Sequence, residues 1–202
     1  MACQQQYYSD FTVKWATLDW EISAAKQLRQ RIFCQEQGLF EGTDADDVDA
    51  QAQLLVASAN HGGWHERVVG TVRIHQASAG VWWGSRLAIA SDLRGQSRLA
   101  AALIKLAVSS AHALGCEQFY ATVQARNERL FQRLHWRREH TLELAGAPHV
   151  LMQADLEYYP PCLQPRSGYV LTNRAPAIPA DIMPLLLRQP PANCQAGAAH
   201  AA

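Results

Sequence analysis

The sequence predicts a mixed α+β domain built on a largely antiparallel sheet of six to seven strands, and three features predict it. Alternating apolar segments are interleaved with segments of helical period across residues 7–158. Three successive strand segments are separated by short Gly-containing breaks of hairpin type. Pro148 alone precedes residue 160, whereas eight prolines follow it, so a domain over 1–159 and a Pro-rich, largely irregular tail over 160–202 are expected. Within that tail, residues 178–187 are apolar enough to dock as a short turn.

The elements follow in order. Residues 11–15 alternate as a strand. Residues 19–37 carry Ile22, Ala25, Leu28, Ile32 and Phe33 at helical spacing, with Asp19 as the expected N-cap. Residues 38–49 form a loop. Segments 54–59 and 68–75 read as strands joined through His61-Gly62-Gly63-Trp64, and 81–89 follows after Ser78-Ala79-Gly80. Residues 99–114 form the clearest helix, closed by Gly115. A strand at 119–123, a short helix at 127–134 and a hairpin of 136–144 with 150–156, turning at Gly146-Ala147-Pro148, complete the order.

Composition excludes several classes. Lys plus Arg equals Asp plus Glu at 18 each, which removes the basic footprint of a nucleic-acid binder. No run of 18 apolar residues occurs, and the first ten residues lack a basic segment followed by an apolar one; no membrane partner and a cytoplasmic location are expected. Cys3, Cys34, Cys116, Cys162 and Cys194 are odd in number and without C-x-x-C spacing, as for reduced, incidental thiols. His61 and His65 have zincin-like spacing, but two glycines between them prevent a helix; the 44–49 region lacks the Gly and Glu of a calcium loop. No metal is expected.

The segment from Arg86 to Ala100 is the most informative. It reads strand, short loop with Gly95, Arg94 and Arg98, then helix start, a junction whose free N–H groups and helix dipole suit a phosphate. Arg86-Leu87-Ala88-Ile89 followed by Arg94-Gly95 resembles the fingerprint of the GNAT superfamily of acyl-CoA N-acyltransferases. Leu28 to Gly38, followed by Asp44, Asp46, Asp47 and Asp49, is similar to the opening of one GNAT branch, and Val69 to Ile74 to its third strand. The stretches Gly80 to Leu87, Leu114-Gly115-Cys116, Ala121 to Ala125, Leu134-His135-Trp136 and Leu151 to Leu156 resemble a bacterial group, the nitrogen-starvation N-acetyltransferases. The resemblance covers about residues 11–158.

The resemblance implies a splayed sheet with the pantetheine of acetyl-CoA between the fourth and fifth strands. Its thioester carbonyl would lie near backbone N–H groups of Leu87, Ala88 and Ile89, and its pyrophosphate at Arg94, Gly95, Gln96, Ser97, Arg98, Leu99 and Ala100. Gln124 and Asn127 complete the expected cofactor set. The loop is one residue longer than the family pattern and lacks its second and third glycines. Phe131 stands where many relatives have the tyrosine that protonates the leaving thiolate. That loss is tolerable, because a thiol of pKa about 8.5 is a good leaving group and general-acid help is typically worth about 10² to 10⁴. Deprotonating the amine is the larger demand: at pKa about 10.4 only about one lysine-like amine in 2,500 is neutral at pH 7, a cost of roughly 4.6 kcal/mol.

Glu36 and Asp47 are the expected catalytic carboxylates, with His75 a weaker candidate base. Asp44, Asp49, Arg73 and Trp83 are expected to bind the acceptor, the acidic loop attracting a cationic amine. Trp82 and Trp83 should face opposite sides of one strand, one in the core and the other toward substrate. The partner implied is a small-molecule or peptide amine, with a homodimer as one possible assembly. The alternatives are an acyl-homoserine-lactone-type synthase, which shares the Arg, Phe, Glu and Asp pattern of the first helix and loop, and a non-catalytic acyl-CoA-binding regulatory protein.

Overall fold

A computed structural model describes residues 8–144 and 146–173; the apolar segment 178–187, Cys3 and Cys194 lie outside them. Strands β1 (Asp10–Trp15), β2 (Gln53–His61), β3 (Trp64–Ser78), β4 (Val81–Ile89), β5 (Gln118–Gln124), β6 (Trp136–Leu144), β7 (Ala147–Ala154) and β8 (Tyr169–Thr172) form one sheet in the order β6-β7-β5-β4-β3-β2-β1-β8. Every neighbouring pair is antiparallel except β4 and β5. The parallel pair needs a crossover, supplied by α2 (Ser97–Ala113).

Helix α1 (Asp19–Gln30) packs on β2, β3 and β4 from one face, and α2 packs on β1 to β4. The fit of α2 is close at Gly70 on β3, where a Cβ would lie 2.9 Å from Leu103 Cδ1 and 2.8 Å from Ile89 Cδ1; an alanine there would require those two side chains to shift. Helix α3 (Glu128–Arg133) packs on β6, with Phe131 edge-on to Trp136 at 5.0 Å and Trp136 edge-on to Phe119 at 5.8 Å.

Four expectations need correction. The helix read over 19–37 ends its α-helical part at Gln30 and continues as a π-helical turn over Arg31–Glu36; one extra residue per turn does not disturb the apolar spacing enough to show. The N-cap is Leu18, not Asp19, and the helix start is held by Glu21, whose Oε2 accepts from Thr17 N at 2.9 Å, Leu18 N at 3.1 Å and Lys14 Nζ at 2.7 Å. The last hairpin turns before Ala147, which already belongs to β7 with Pro148. Among the described residues the sheet has eight strands rather than six to seven, and it does not stop near Tyr159.

Strand β8 pairs antiparallel with β1 from Asp10↔Thr172 to Val13↔Tyr169. The half-buried Tyr169 donates its hydroxyl to Ala102 O of α2 at 2.7 Å, and this burial pushes its pKa up to about 12. Pro165 O accepts from Trp15 N at 2.9 Å. Gly168 is required where the chain enters β8: its φ is +62°, and a Cβ would stand 1.9 Å from Val13 O.

Candidate functional site

The site is built where β4 and β5 part. Their parallel pairing covers only Val81↔Gln118 to Gly84↔Ala121, yet β4 runs on to Ile89 and β5 to Gln124. Residues 85–89 therefore have β3 on one side and an open edge on the other. At the parting point β4 carries a bulge: the β3 register slips between Thr71↔Ala88 and Arg73↔Ser85, and Arg86 takes φ +55°. Such an irregularity re-aims backbone groups locally. Leu87, Ala88 and Ile89 lie along this edge; Ala88 is buried, Leu87 and Ile89 pack against the core, and in an extended strand alternate residues turn their N–H and C=O groups to the unpaired side.

Beyond Ile89 the chain makes a short 3-10 turn, Ser91–Leu93, and Gln96 caps α2. Gly95 has open space where a Cβ would stand, and the buried Gln96 Oε1 has no hydrogen-bond partner. The first turn of α2 adds its free N–H groups and positive dipole end. Ser97 opens α2, Leu99 is fully buried and its N–H bonds Gln96 O at 3.0 Å, and Ala100 is buried. Of this loop, Arg94, Gly95, Gln96 and the backbone of the first helical turn fit a bound pyrophosphate.

Arg98 does not join them. Its Nη1 donates to Thr172 O at 3.0 Å and its Nη2 to Asn173 Oδ1, so it ties α2 to the end of β8. The expected role of Arg98 toward phosphate would require it to leave these partners.

The π-helical turn spans the mouth of the gap. Glu36 pairs with Arg94, whose Nε also donates to Ile89 O at 3.3 Å at the end of β4. The next residue, Gln37, accepts from Gln124 Nε2 at 3.2 Å at the end of β5. Two consecutive residues thus bridge the two diverging strand ends. π-turns recur at functional positions because the extra residue displaces side chains from the regular helical faces. Asn127 ends a 3-10 turn at the start of α3.

The acidic loop has another role than the one expected. Buried Arg29 donates from Nε to Asp44 Oδ2 at 2.7 Å, from Nη1 to Asp49 Oδ1 at 2.6 Å and from Nη2 to Asp49 Oδ2 at 2.9 Å. Buried Arg73 pairs with Asp46, lies 3.1 Å from Asp49 Oδ1 and donates to Ser85 Oγ at 3.0 Å. Arg86 reaches Asp44 Oδ2 and Asp46 Oδ2, each at 3.1 Å, and stacks on Phe40 at 4.4 Å. Three guanidinium groups meet three carboxylates. Burial would raise the Asp49 pKa, but the hydrogen bonds from Arg29, the Asp46 backbone and Arg73 hold it far below the usual carboxylate range. Asp46 is lowered chiefly by its hydrogen bond from Arg73.

Asp44, Asp49 and Arg73 are therefore parts of a clamp that pins the loop over the β4 bulge, and the open acidic patch expected to attract an amine is corrected to a neutralised one. Asp46 and Asp47 are both exposed, and of the four aspartates Asp47 alone has no ion pair among the described residues. His75 is half-buried, with Nδ1 sealed and unpartnered; burial and then Arg73 lower its pKa.

Trp82 is buried and Trp83 faces the other side, 5.6 Å from Tyr120. Sequence reasoning missed Tyr120, Arg86 and Gln37. The signal for Arg86 was present, since an arginine inside an apolar strand demands a counter-ion. Phe131 is 6% exposed and belongs to the core, so no hydroxyl stands at its position. Among the described residues no cluster of His, Cys, Asp or Glu suits a metal, and no helix is long and apolar enough to cross a membrane.

Solved structures share this architecture. A Lactobacillus plantarum protein assigned to the N-acetyltransferases matches with TM-score 0.64 and 20% identity over 71% of this chain and 97% of its own. An acyl-CoA N-acyltransferase from Pseudomonas aeruginosa matches with TM-score 0.57 and 22% identity over 72% and 99%. BjaI, a CoA-dependent acyl-homoserine lactone synthase seen with SAM and isopentyl-CoA, matches with TM-score 0.59 and 16% identity over 74% and 86%. At these identities the likeness is one of fold. No curated protein matches the sequence significantly. The family model described as "Acetyltransferase (GNAT) family" matches residues 12–136, more than half of the chain; with the parted β4 and β5 at its centre, this chain belongs to the GNAT acetyltransferase family.

Proposed function

We propose that the protein is an acetyl-CoA-dependent N-acetyltransferase in which a bound amine attacks the thioester directly within a ternary complex. The observation that carries this reading is the open edge of residues 85–89, beside a loop that offers Arg94, an open space at Gly95 and a helix N-terminus. Acetyl-CoA supplies an activated acyl group. The chain's part is to hold it by backbone pairing along β4, to stabilise charge on the carbonyl oxygen with preorganised N–H donors, and to orient the amine.

The balance of the reaction sets the demands on side chains. The ammonium gives one proton to a base, the nitrogen–carbon bond forms, the carbon–sulfur bond breaks, and the second nitrogen proton ends on the thiolate as CoA-SH. Glu36 sits at the mouth of the gap and takes the first proton once Arg94 is drawn to phosphate. With Phe131 in the core, the thiolate collects its proton without a tyrosine, which the thiol's ordinary pKa of about 8.5 permits. Asp47 is the carboxylate left to draw a cationic group toward the mouth.

Membership of the nitrogen-starvation group is carried by the motif resemblance alone, and we include it in the proposal. A cytoplasmic location is likewise inferred, from the free thiols of Cys34, Cys116 and Cys162.

The test is thiol release from acetyl-CoA with a library of amines, read together with product mass. Acetylated amine with stoichiometric CoA-SH supports the reading. A second reading, an acyl-homoserine-lactone-type synthase, is favoured by the motif that the Arg29 clamp uses; lactone formed from acyl-acyl-carrier-protein and S-adenosylmethionine would establish it instead. Acetyl-CoA binding without thiol release by any amine would mark a sensor.

A further inference from the structure

One lateral row of side chains crosses five strands at the foot of the gap. The register pairs His75 with Trp83, Trp83 with Tyr120, Tyr120 with Gln153 and Gln153 with Arg137. Directly opposed residues share a face of the sheet, so these five line up on the side of Arg73 and α1. The row lies one residue before the last β4–β5 pair, next to the point where the strands part. Its neighbours on the opposite face, Trp82, Phe119, Met152 and Trp136, are core. Trp83 and Tyr120, by contrast, keep part of their surface exposed, with ring centroids 5.6 Å apart and planes tilted by 36°. They form an aromatic floor, not a packed layer.

The charges around this floor are unequal. Asp44, Asp46 and Asp49 are spent on Arg29, Arg73 and Arg86, while Glu36 is held by Arg94 only until that arginine is drawn to phosphate. At the other end Arg137 is 70% exposed along its side chain; it bonds Gln153 Oε1 and lies 3.0 Å from Glu139 Oε1. An exposed pair of this kind is exchangeable at little cost. Neighbouring strands lie about 4.8 Å apart, so Arg137 on β6 starts two strands from Tyr120, and its guanidinium reaches back to Gln153 on β7, one strand from Tyr120. That is close to the separation between the ring and the carboxylate of an aromatic amino acid.

We infer that the acceptor, on the reading that this is an N-acetyltransferase, is an amino acid with a flat or apolar side chain, which rests on Trp83 and Tyr120 and turns its carboxylate to Arg137, rather than a polyamine or a lysine-rich peptide. The aromatic faces contribute apolar area and attraction for the amine without a carboxylate counter-ion. Arg137 is a specificity residue, recognising the carboxylate through a charge-assisted pair. A polycation would meet a loop in which, among the described residues, Asp47 is the one aspartate left without an ion pair, and an arginine at the other end.

The experiment compares phenylalanine, phenethylamine, spermidine and a lysine-rich peptide as acceptors with the full chain and acetyl-CoA, reading thiol release and product mass. Phenylalanine should exceed each of the others in kcat/KM by about tenfold or more, the worth of one charged hydrogen bond. Trp83→Leu should raise the KM for phenylalanine about tenfold with acetyl-CoA affinity unchanged. Arg137→Gln, an exposed change that spares folding, should raise the KM for phenylalanine but not for phenethylamine. Preference for spermidine or the peptide, or an equal effect of Arg137→Gln on phenylalanine and phenethylamine, overturns the inference while leaving N-acetyl transfer intact. Thiol release with none of the four and no other amine overturns both.

Discussion

Two arginine clusters flank the gap between β4 and β5, and they are opposites. In the clamp, Arg29 and Arg73 are buried and every guanidinium is matched to a carboxylate of the 44–49 loop. In the loop proposed to hold the cofactor, Arg94 is half exposed and holds a single carboxylate, Glu36. Burial decides the difference. A buried ion pair cannot be released without leaving an uncompensated charge, whereas an exposed one is worth at most about 1 kcal/mol and yields readily to a phosphate. The first cluster is therefore architecture and the second is an exchangeable contact, although both are written in the sequence as the same two residue types.

The largest effect should come from breaking the clamp. Arg29→Ala orphans Asp44 and Asp49 together and should cost about 5 kcal/mol of stability at pH 7, the upper part of the range for a broken buried pair; denaturant unfolding measures it. The pH dependence has a definite sign. Asp46 and Asp49 have folded pKa values below their unfolded ones, so their contribution is fully present above about pH 4 and is lost as pH falls through the folded values. The stability difference between wild type and Asp49→Asn should accordingly narrow on acidification below pH 4.

At the exchangeable contact, Glu36→Gln separates two roles in one variant. Loss of the base should lower kcat by about 10² to 10⁴ at neutral pH, and loss of the resting partner of Arg94 should tighten acetyl-CoA binding by up to about 1 kcal/mol. A variant with unchanged kcat and an intact acidic limb of the pH–rate profile would show that the proton goes elsewhere, with half-buried His75 the next candidate.

The third contrast concerns the end of the sheet. A chain ended at Asn173 keeps β8, and a chain ended at Tyr159 loses it along with the half-buried Tyr169 and the anchor of Arg98. We expect the shorter chain to be less stable by about 2 to 3 kcal/mol, the worth of burying one or two large side chains. Equal unfolding midpoints would mean that the sheet is self-sufficient without β8.

Much of the fold was legible because hydrophobic period is a local signal. The hairpins β2 to β4 and helix α2 could be read from alternation, glycine breaks and a long apolar stripe. Strand β8 could not, since four residues in a proline-rich stretch give too short a pattern and the partner, β1, lies some 160 residues away. The site was half legible. The arginine–glycine junction points to the phosphate loop we propose, yet nothing local tells Arg94, which pairs with Glu36, from Arg98, which bonds the end of β8. The acidic run looked solvated because its counter-ions are remote in sequence. Arg29 was the missed clue: it lies four residues after Ala25 on the buried stripe of α1, where an arginine survives only if carboxylates come to meet it. The row from His75 to Arg137 depends on strand register, which no single segment encodes.

Calorimetric titration of acetyl-CoA into Arg94→Ala tests the central claim most directly. The account predicts an affinity loss of about 1.5 to 3 kcal/mol, the worth of a charged hydrogen bond to phosphate, with the unfolding midpoint unchanged because Arg94 is half exposed. Undiminished affinity, or a variant that loses stability as the clamp variants do, would contradict the assignment of this loop as the cofactor site and of Arg94 as its exchangeable arginine.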